Sequence, residues 1–170
     1  MMRNNITKSF KASLVLCLVL TMLMCTLTGC SPNPMNFSTP KISITLDESF
    51  TQRKASNYEL YAASEDVSFT AREETMEQLE LAGYEIISLQ DYAKEIHSLN
   101  AAQGVALNQR DNYYYFTTSQ TANGAKYSYI HCIFEGDNSF WVCQFVFKSK
   151  DYERLSEDVL AWADTIEIAK

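Results

Sequence analysis

Histidine is nearly absent: two residues in 170, His97 and His131. General acid–base chemistry therefore has few carriers. Neither histidine has a neighbouring Ser, Cys or Asp pattern that marks a partner, so both are read as packed side chains. A zinc site needs three or four ligands, and these histidines form no recognised spacing with Cys132 and Cys143. No calcium loop occurs, and no cofactor or metal is expected. Basic residues are also scarce, 14 against 21 acidic. Affinity for a phosphate backbone rests on clustered Lys and Arg that displace counterions, so the chain is a poor nucleic-acid binder. Proline is rarer still, and all three prolines fall between residues 32 and 40. Aromatic residues, in contrast, make up 12% of the chain, which argues against disorder.

What is present begins at the N-terminus. Residues 1–11 are basic, and residues 12–24 form an uncharged run rich in Leu, Val and Met, the pattern of a secretory signal. An uncleaved anchor is the alternative, but spanning needs about 20 apolar residues, and Thr26, Thr28 and Gly29 weaken the last turn. Leu27-Thr28-Gly29-Cys30 closes the run. It resembles the bacterial lipobox, which implies lipid on Cys30, cleavage before it, palmitate labelling, and a domain held on the extracytoplasmic side of the cell membrane. Removing residues 1–29 removes three basic residues and no acidic one, leaving 11 basic against 21 acidic and a net charge of −10. Anionic headgroups repel such a body, so membrane attachment must be covalent or hydrophobic. Residues 30–40, with three prolines and no helix or strand period, read as a lipid-anchored tether. Residues 41–170 are expected to form one globular domain.

Within that domain, residues 41–46 alternate apolar and polar, a half-buried strand. Residues 58–63 and 67–72 flank Ser64-Glu65-Asp66 and read as a hairpin. Residues 73–82 have helical composition and stop at Gly83, and their acidic face (Glu73, Glu74, Glu77, Glu80) reads as solvated rather than cation-binding. Ser88 with Asp91 caps a second helix whose stripe is Leu89, Tyr92, Ala93, Ile96 and Leu99. Strands are then expected at 105–109, 113–118, 126–135 and 139–148, separated by turn clusters that include Asn123-Gly124, a strong hairpin signal. A last helix follows Ser149 with a stripe of Tyr152, Leu155, Val159 and Trp162, and residues 165–168 form a closing strand. Strands arriving in hairpins predict an α+β fold, a mainly antiparallel sheet covered by about three helices. The tyrosine-rich strands are read as packing under those helices rather than as rings displayed to a sugar or peptide.

Cys132 and Cys143 sit on consecutive strands, and the hairpin register decides whether they meet. A two-residue loop at Gly136-Asp137 leaves them on a wide diagonal, a three-residue loop puts them on opposite faces, and a four-residue loop, residues 136–139, sets them directly across. Two core thiols are the leading expectation and a disulfide the other.

Tyr113-Tyr114-Tyr115-Phe116, Ser139-Phe140-Trp141 and Trp162-Ala163-Asp164-Thr165-Ile166, in this order of elements, resemble the PsbP-like bacterial lipoproteins. That fold family also holds PsbP itself, a Ran-binding nuclear import factor and LpqN-type mycobacterial lipoproteins. The resemblance covers residues 41–170 and implies an α/β/α sandwich whose members mostly bind or stabilise other proteins, with no catalytic residue to carry over. The functional expectation is a lipid-anchored accessory protein, not an enzyme, with an unidentified protein partner. A surface hydrolase would need His97 or His131 in a cleft beside a carboxylate or hydroxyl. A transporter's solute-binding lipoprotein would need a longer, two-lobed body.

Overall fold

The computed structural model describes residues 33–86, 88–101 and 104–169. The lipobox, Cys30 and the expected signal lie outside the described residues. From Pro34 onward the chain forms one unit of two sheets and three helices. Among the described residues no helix is long and apolar enough to cross a membrane.

The smaller sheet has the order β1 (Pro34–Ser38), β2 (Ile42–Asp47), β10 (Glu167–Ile168). β1 corrects the expected tether. Its Phe37 is buried and pairs with Ile44, so the domain begins at Pro34 and not at residue 41. Pro34 is tolerated because it is the first residue of an edge strand, where a missing N–H breaks no ladder.

The larger sheet runs β3 (Thr51–Gln52), β4 (Leu60–Ala63), β5 (Val67–Thr75), β9 (Ser139–Lys148), β8 (Ala125–Gly136), β7 (Tyr113–Ala122), β6 (Asn108–Gln109). Every strand pairing is antiparallel, as expected. Of the strand expected at 105–109 only the last two residues pair, against Tyr114 and Tyr115.

The first helix, α1 (Met76–Leu81), is shorter than expected. Glu73 and Glu74 prolong β5 opposite Trp141 and Phe140. The helix waits for Thr75, whose hydroxyl accepts from the Gln78 N–H while Gln78 Oε1 accepts from the Thr75 N–H, a reciprocal capping box. The acidic helical face therefore does not exist. Glu73 instead pairs with Lys41 at 2.5 Å, and Glu74 pairs with Arg72 and accepts from the Tyr92 hydroxyl at 2.7 Å. The second helix, α2 (Leu89–Asn100), starts at the Ser88 cap as read. It lays Tyr92, Ala93 and Ile96 on one face of the large sheet, against Phe116, Ile133 and Phe140. A short 3₁₀ turn (Ser149–Asp151) leads into α3 (Tyr152–Ala163). α3 and the small sheet together cover the opposite face. There Leu155, Val159 and Ala163 join Ile42, Ile44 and Leu46 over Phe69, Cys143, Phe145 and Phe147. The layers follow from strand alternation: even-numbered residues of β9 face α2 and odd-numbered ones face α3.

Candidate functional site

Two turns and a short strand gather at one end of the β7–β8–β9 meander. Asp111 and Asn112 precede β7, and Gly136 and Asp137 end β8 next to it, because antiparallel neighbours bring a strand's start beside its partner's finish. β10 arrives third, fixed by Thr165, whose hydroxyl accepts from the Thr45 N–H at 3.0 Å and lies 2.7 Å from the Trp162 carbonyl. Between them opens a cleft of about 840 Å³. Its apolar floor is Tyr113, Phe134, Ile166 and Ile168, with the two rings stacked at 4.7 Å. Its rim carries four exposed carboxylates, Asp111, Glu135, Asp137 and Glu167, and none has a hydrogen bond or ion pair among the described residues.

A fifth carboxylate sets the geometry of the mouth. Asp164, at the end of α3, takes the Arg110 guanidinium on one oxygen and the Tyr113 hydroxyl, at 2.8 Å, on the other. Arg110 also stands over the Tyr115 ring, 6.0 Å from its centre. Burial, and then the hydrogen bond to Asp164, push the Tyr113 hydroxyl above its ordinary range, so it remains a donor. The β6–β7 turn is thereby pinned to the helix.

Gly136, in the wall, permits a close approach. A Cβ there would lie 2.6 Å from Ser139 Oγ and 2.7 Å from Trp141 Nε1. Both polar atoms are buried and lack a hydrogen-bond partner among the described residues. They turn toward the gap that the missing side chain leaves. Among the described residues no group of three or more His, Cys, Asp or Glu could hold a metal ion. The rim therefore offers spread negative charge, suited to an extended cation with an apolar body.

The histidines lie elsewhere. His97 Nε2–H donates to the Val105 carbonyl at 3.0 Å, and its ring meets Phe116 edge-on at 5.0 Å, a packing role that ties α2 to the following loop. His131 stacks on Phe116 at 4.5 Å, accepts from the Gln144 amide at Nδ1 (3.2 Å) and gives its Nε2 proton to Thr118 Oγ1 (3.0 Å). Burial lowers its pKa to about 4. It borders a separate pocket of about 210 Å³ with Thr70, Arg72 and Gln144. With Nδ1 occupied and Nε2 donating, this imidazole does not act as a base toward Thr118.

Cys132 and Cys143 are directly opposite, with Gly136 facing Ser139 at the end of the ladder. This is the register of the four-residue loop with one further pair closed, leaving Asp137-Asn138 as the turn and Asn138 at φ 50°. Both cysteines are buried free thiols. Burial raises their pKa, which keeps them protonated. Tyr113 is buried, and Tyr114 and Tyr115 pack against the two cores, as the packing reading of the tyrosines expects.

The four rim carboxylates were not singled out in the sequence. The available signal was topological: Arg110-Asp111-Asn112 and Gly136-Asp137-Asn138 are turns at the same end of one meander.

No family model and no curated protein matches this sequence. Solved structures do match its fold. One is a crystal structure from Bacteroides thetaiotaomicron VPI-5482, with a TM-score of 0.52 and 14% identity over 79% of this chain. This chain spans 48% of that one, about half its length. The Saccharomyces cerevisiae Ran-binding protein Mog1p matches with a TM-score of 0.52 and 8% identity over 81% of this chain and 96% of its own. Cyanobacterial PsbP from Synechocystis sp. PCC 6803 aligns at a TM-score of 0.46 and 8% identity over 85% of this chain and 99% of its own. The architecture shared with Mog1p is an α+β fold with a mainly antiparallel sheet and three helices among the described residues, the class expected from the order of elements in the sequence.

Proposed function

We propose that this chain is a lipid-anchored accessory protein on the extracytoplasmic side of a bacterial membrane, and that the acidic cleft holds a positively charged segment of a partner. The observation that carries the binding role is the cleft: an apolar floor ringed by four carboxylates without partners among the described residues. Exposed charges with no partner contribute little to folding, whereas charge complementarity steers encounter and fixes register in a complex. In Mog1p a fold of this kind belongs to a Ran-binding protein. The address is supported by the sequence: a basic start, an apolar run and Leu27-Thr28-Gly29-Cys30. Two or three acyl chains on Cys30 would anchor the protein stably, since each buried methylene contributes about 0.8 kcal/mol.

Each half has its own test. Cys30→Ser is expected to abolish palmitate labelling and leave an unprocessed precursor; labelled Cys30→Ser protein overturns the lipobox assignment. For the cleft, the combined variant Asp111→Asn, Glu135→Gln, Asp137→Asn, Glu167→Gln should melt close to the parent, because no described ion pair is lost. Crosslinking in living cells should recover at least fivefold less of the partner adduct from the variant than from the parent. An adduct of equal yield with both proteins sinks the cleft as the contact surface.

A further inference from the structure

Strand β7 is ten residues long, yet β6 covers its outer side only at Tyr114 and Tyr115. From Phe116 to Ala122 no strand lies beyond it among the described residues. The phase of its hydrogen bonds is set by the turn. Ala122 faces Ala125 across Asn123 and Gly124, whose φ angles of 51° and 77° mark a two-residue type I′ turn. The pair flanking such a turn exchanges its hydrogen bonds, so Gln120, Thr118 and Phe116 also bond to β8, and the residues between them turn their peptide groups outward. Tyr113 has the same outward phase, and its carbonyl does accept from the Arg110 N–H at 2.9 Å. Thr117, Ser119 and Thr121 therefore present three N–H and three C=O groups with no partner among the described residues.

Such an edge is usually guarded by proline, charge or a bulge. The opposite edge of this sheet is only two residues long, and Arg53 and Lys54 follow it. Residues 116–122 carry no charge and no proline, and their register with β8 is unbroken. A trough of about 480 Å³ runs alongside, with Asn100 and Val105 on one bank and Tyr152 on the other. Its lining contains one cation, Lys126, and no carboxylate, in a chain whose acidic residues exceed its basic ones by seven. Lys126 faces Thr121, at the turn end of the free edge.

We infer that the outer edge of β7 takes up an extended, acid-bearing segment of a partner protein as an added antiparallel strand, bonded to the peptide groups of Thr117, Ser119 and Thr121 with its acid beside Lys126. Backbone bonds supply affinity in this mode and the side chains in the trough supply selectivity. An antiparallel strand starts at the turn end, so the acid belongs at its N-terminal side. This surface stands independently of the acidic cleft.

The test uses the isotope-labelled full chain in detergent micelles and the peptide acetyl-Asp-Thr-Val-Thr-Val-amide. Bound peptide should slow amide exchange at Thr117, Ser119 and Thr121 at least tenfold and leave Thr118 and Gln120, already bonded to β8, unchanged. Ser119→Pro removes the central outward N–H and no bond to β8. It should weaken the peptide at least tenfold while its melting temperature shows that it is folded. Exchanging the peptide's Asp for Asn should weaken binding severalfold in the parent and have no effect in Lys126→Gln. Unaltered exchange at millimolar peptide, or equal binding by Ser119→Pro, overturns the added strand. Equal binding of the Asn peptide by the parent overturns the acid-bearing occupant. Protection that grows with protein concentration in the absence of peptide assigns the edge to a second copy and overturns the partner.

Discussion

Phe145→Ala is expected to lower the unfolding free energy by about 3–5 kcal/mol, the range for removing a fully buried aromatic ring whose surroundings cannot close over the gap. Phe145 has no exposed surface. Its ring meets Phe69 at 4.9 Å on the adjacent strand and Trp162 of α3 at 6.5 Å. Both neighbours are held by the large sheet and the helix, so neither can move in without breaking other contacts. Urea unfolding followed by Trp fluorescence gives the number. A loss under 1 kcal/mol would mean that the core between the large sheet and α3 repacks freely, contrary to the close packing of protein interiors.

The second large effect is a dependence on pH. His131 is pushed down to about 4 by burial, whereas an unfolded histidine titrates near 6.5. Below pH 6.5 the unfolded chain binds a proton that the native imidazole refuses, so stability is full above 6.5 and falls with the pH until the native ring also protonates near 4. The difference corresponds to on the order of 3 kcal/mol. The groups around the ring are Phe116, Tyr129, Thr118 and Gln144, with Arg72 on the shared pocket, and none is a carboxylate that would favour the imidazolium. Comparison with His131→Gln isolates the effect. The parent should lose stability relative to that variant as the pH falls from 6.5 to 4, and parallel curves would show that the buried ring titrates normally.

The elements that were legible in the sequence are those in which local chemistry and tertiary contacts agree. Ser88 and Asp91 open α2, Asn123-Gly124 closes the β7–β8 hairpin, and the aromatic strands around 130 and 145 form the centre of the sheet. Other elements were set by partners remote in sequence. Residues 34–38 carry a single buried side chain, Phe37, and become a strand because β2 offers an edge. Glu73 and Glu74 have helical propensity, yet the ladder to β9 holds them extended until Thr75 can cap. Of the three loop lengths open to the β8–β9 hairpin, the four-residue register is adopted, and Gly136 lets the strands pair one step further within it because it puts no side chain against Trp141. The rim of the cleft was hidden for the same reason. Asp111, Glu135, Asp137 and Glu167 look like solvated turn residues until the topology brings two turns and β10 to one mouth.

The pairing of Pro34–Ser38 with β2 changes the mechanics of attachment. Between Cys30 and the first strand residue stand residues 31–33, so a lipid on Cys30, as proposed, would moor the domain by a span of at most about 14 Å even when drawn straight. A ten-residue tether would let the body sweep a hemisphere some distance above the headgroups. So short a mooring would confine it to the bilayer's immediate surface, free to swivel but with little latitude to search outward. On the proposed anchoring, proximity would then filter partners before any chemistry does: membrane proteins with low ectodomains, or ligands brought to the surface, would meet the cleft at high local concentration, and freely diffusing ones would not.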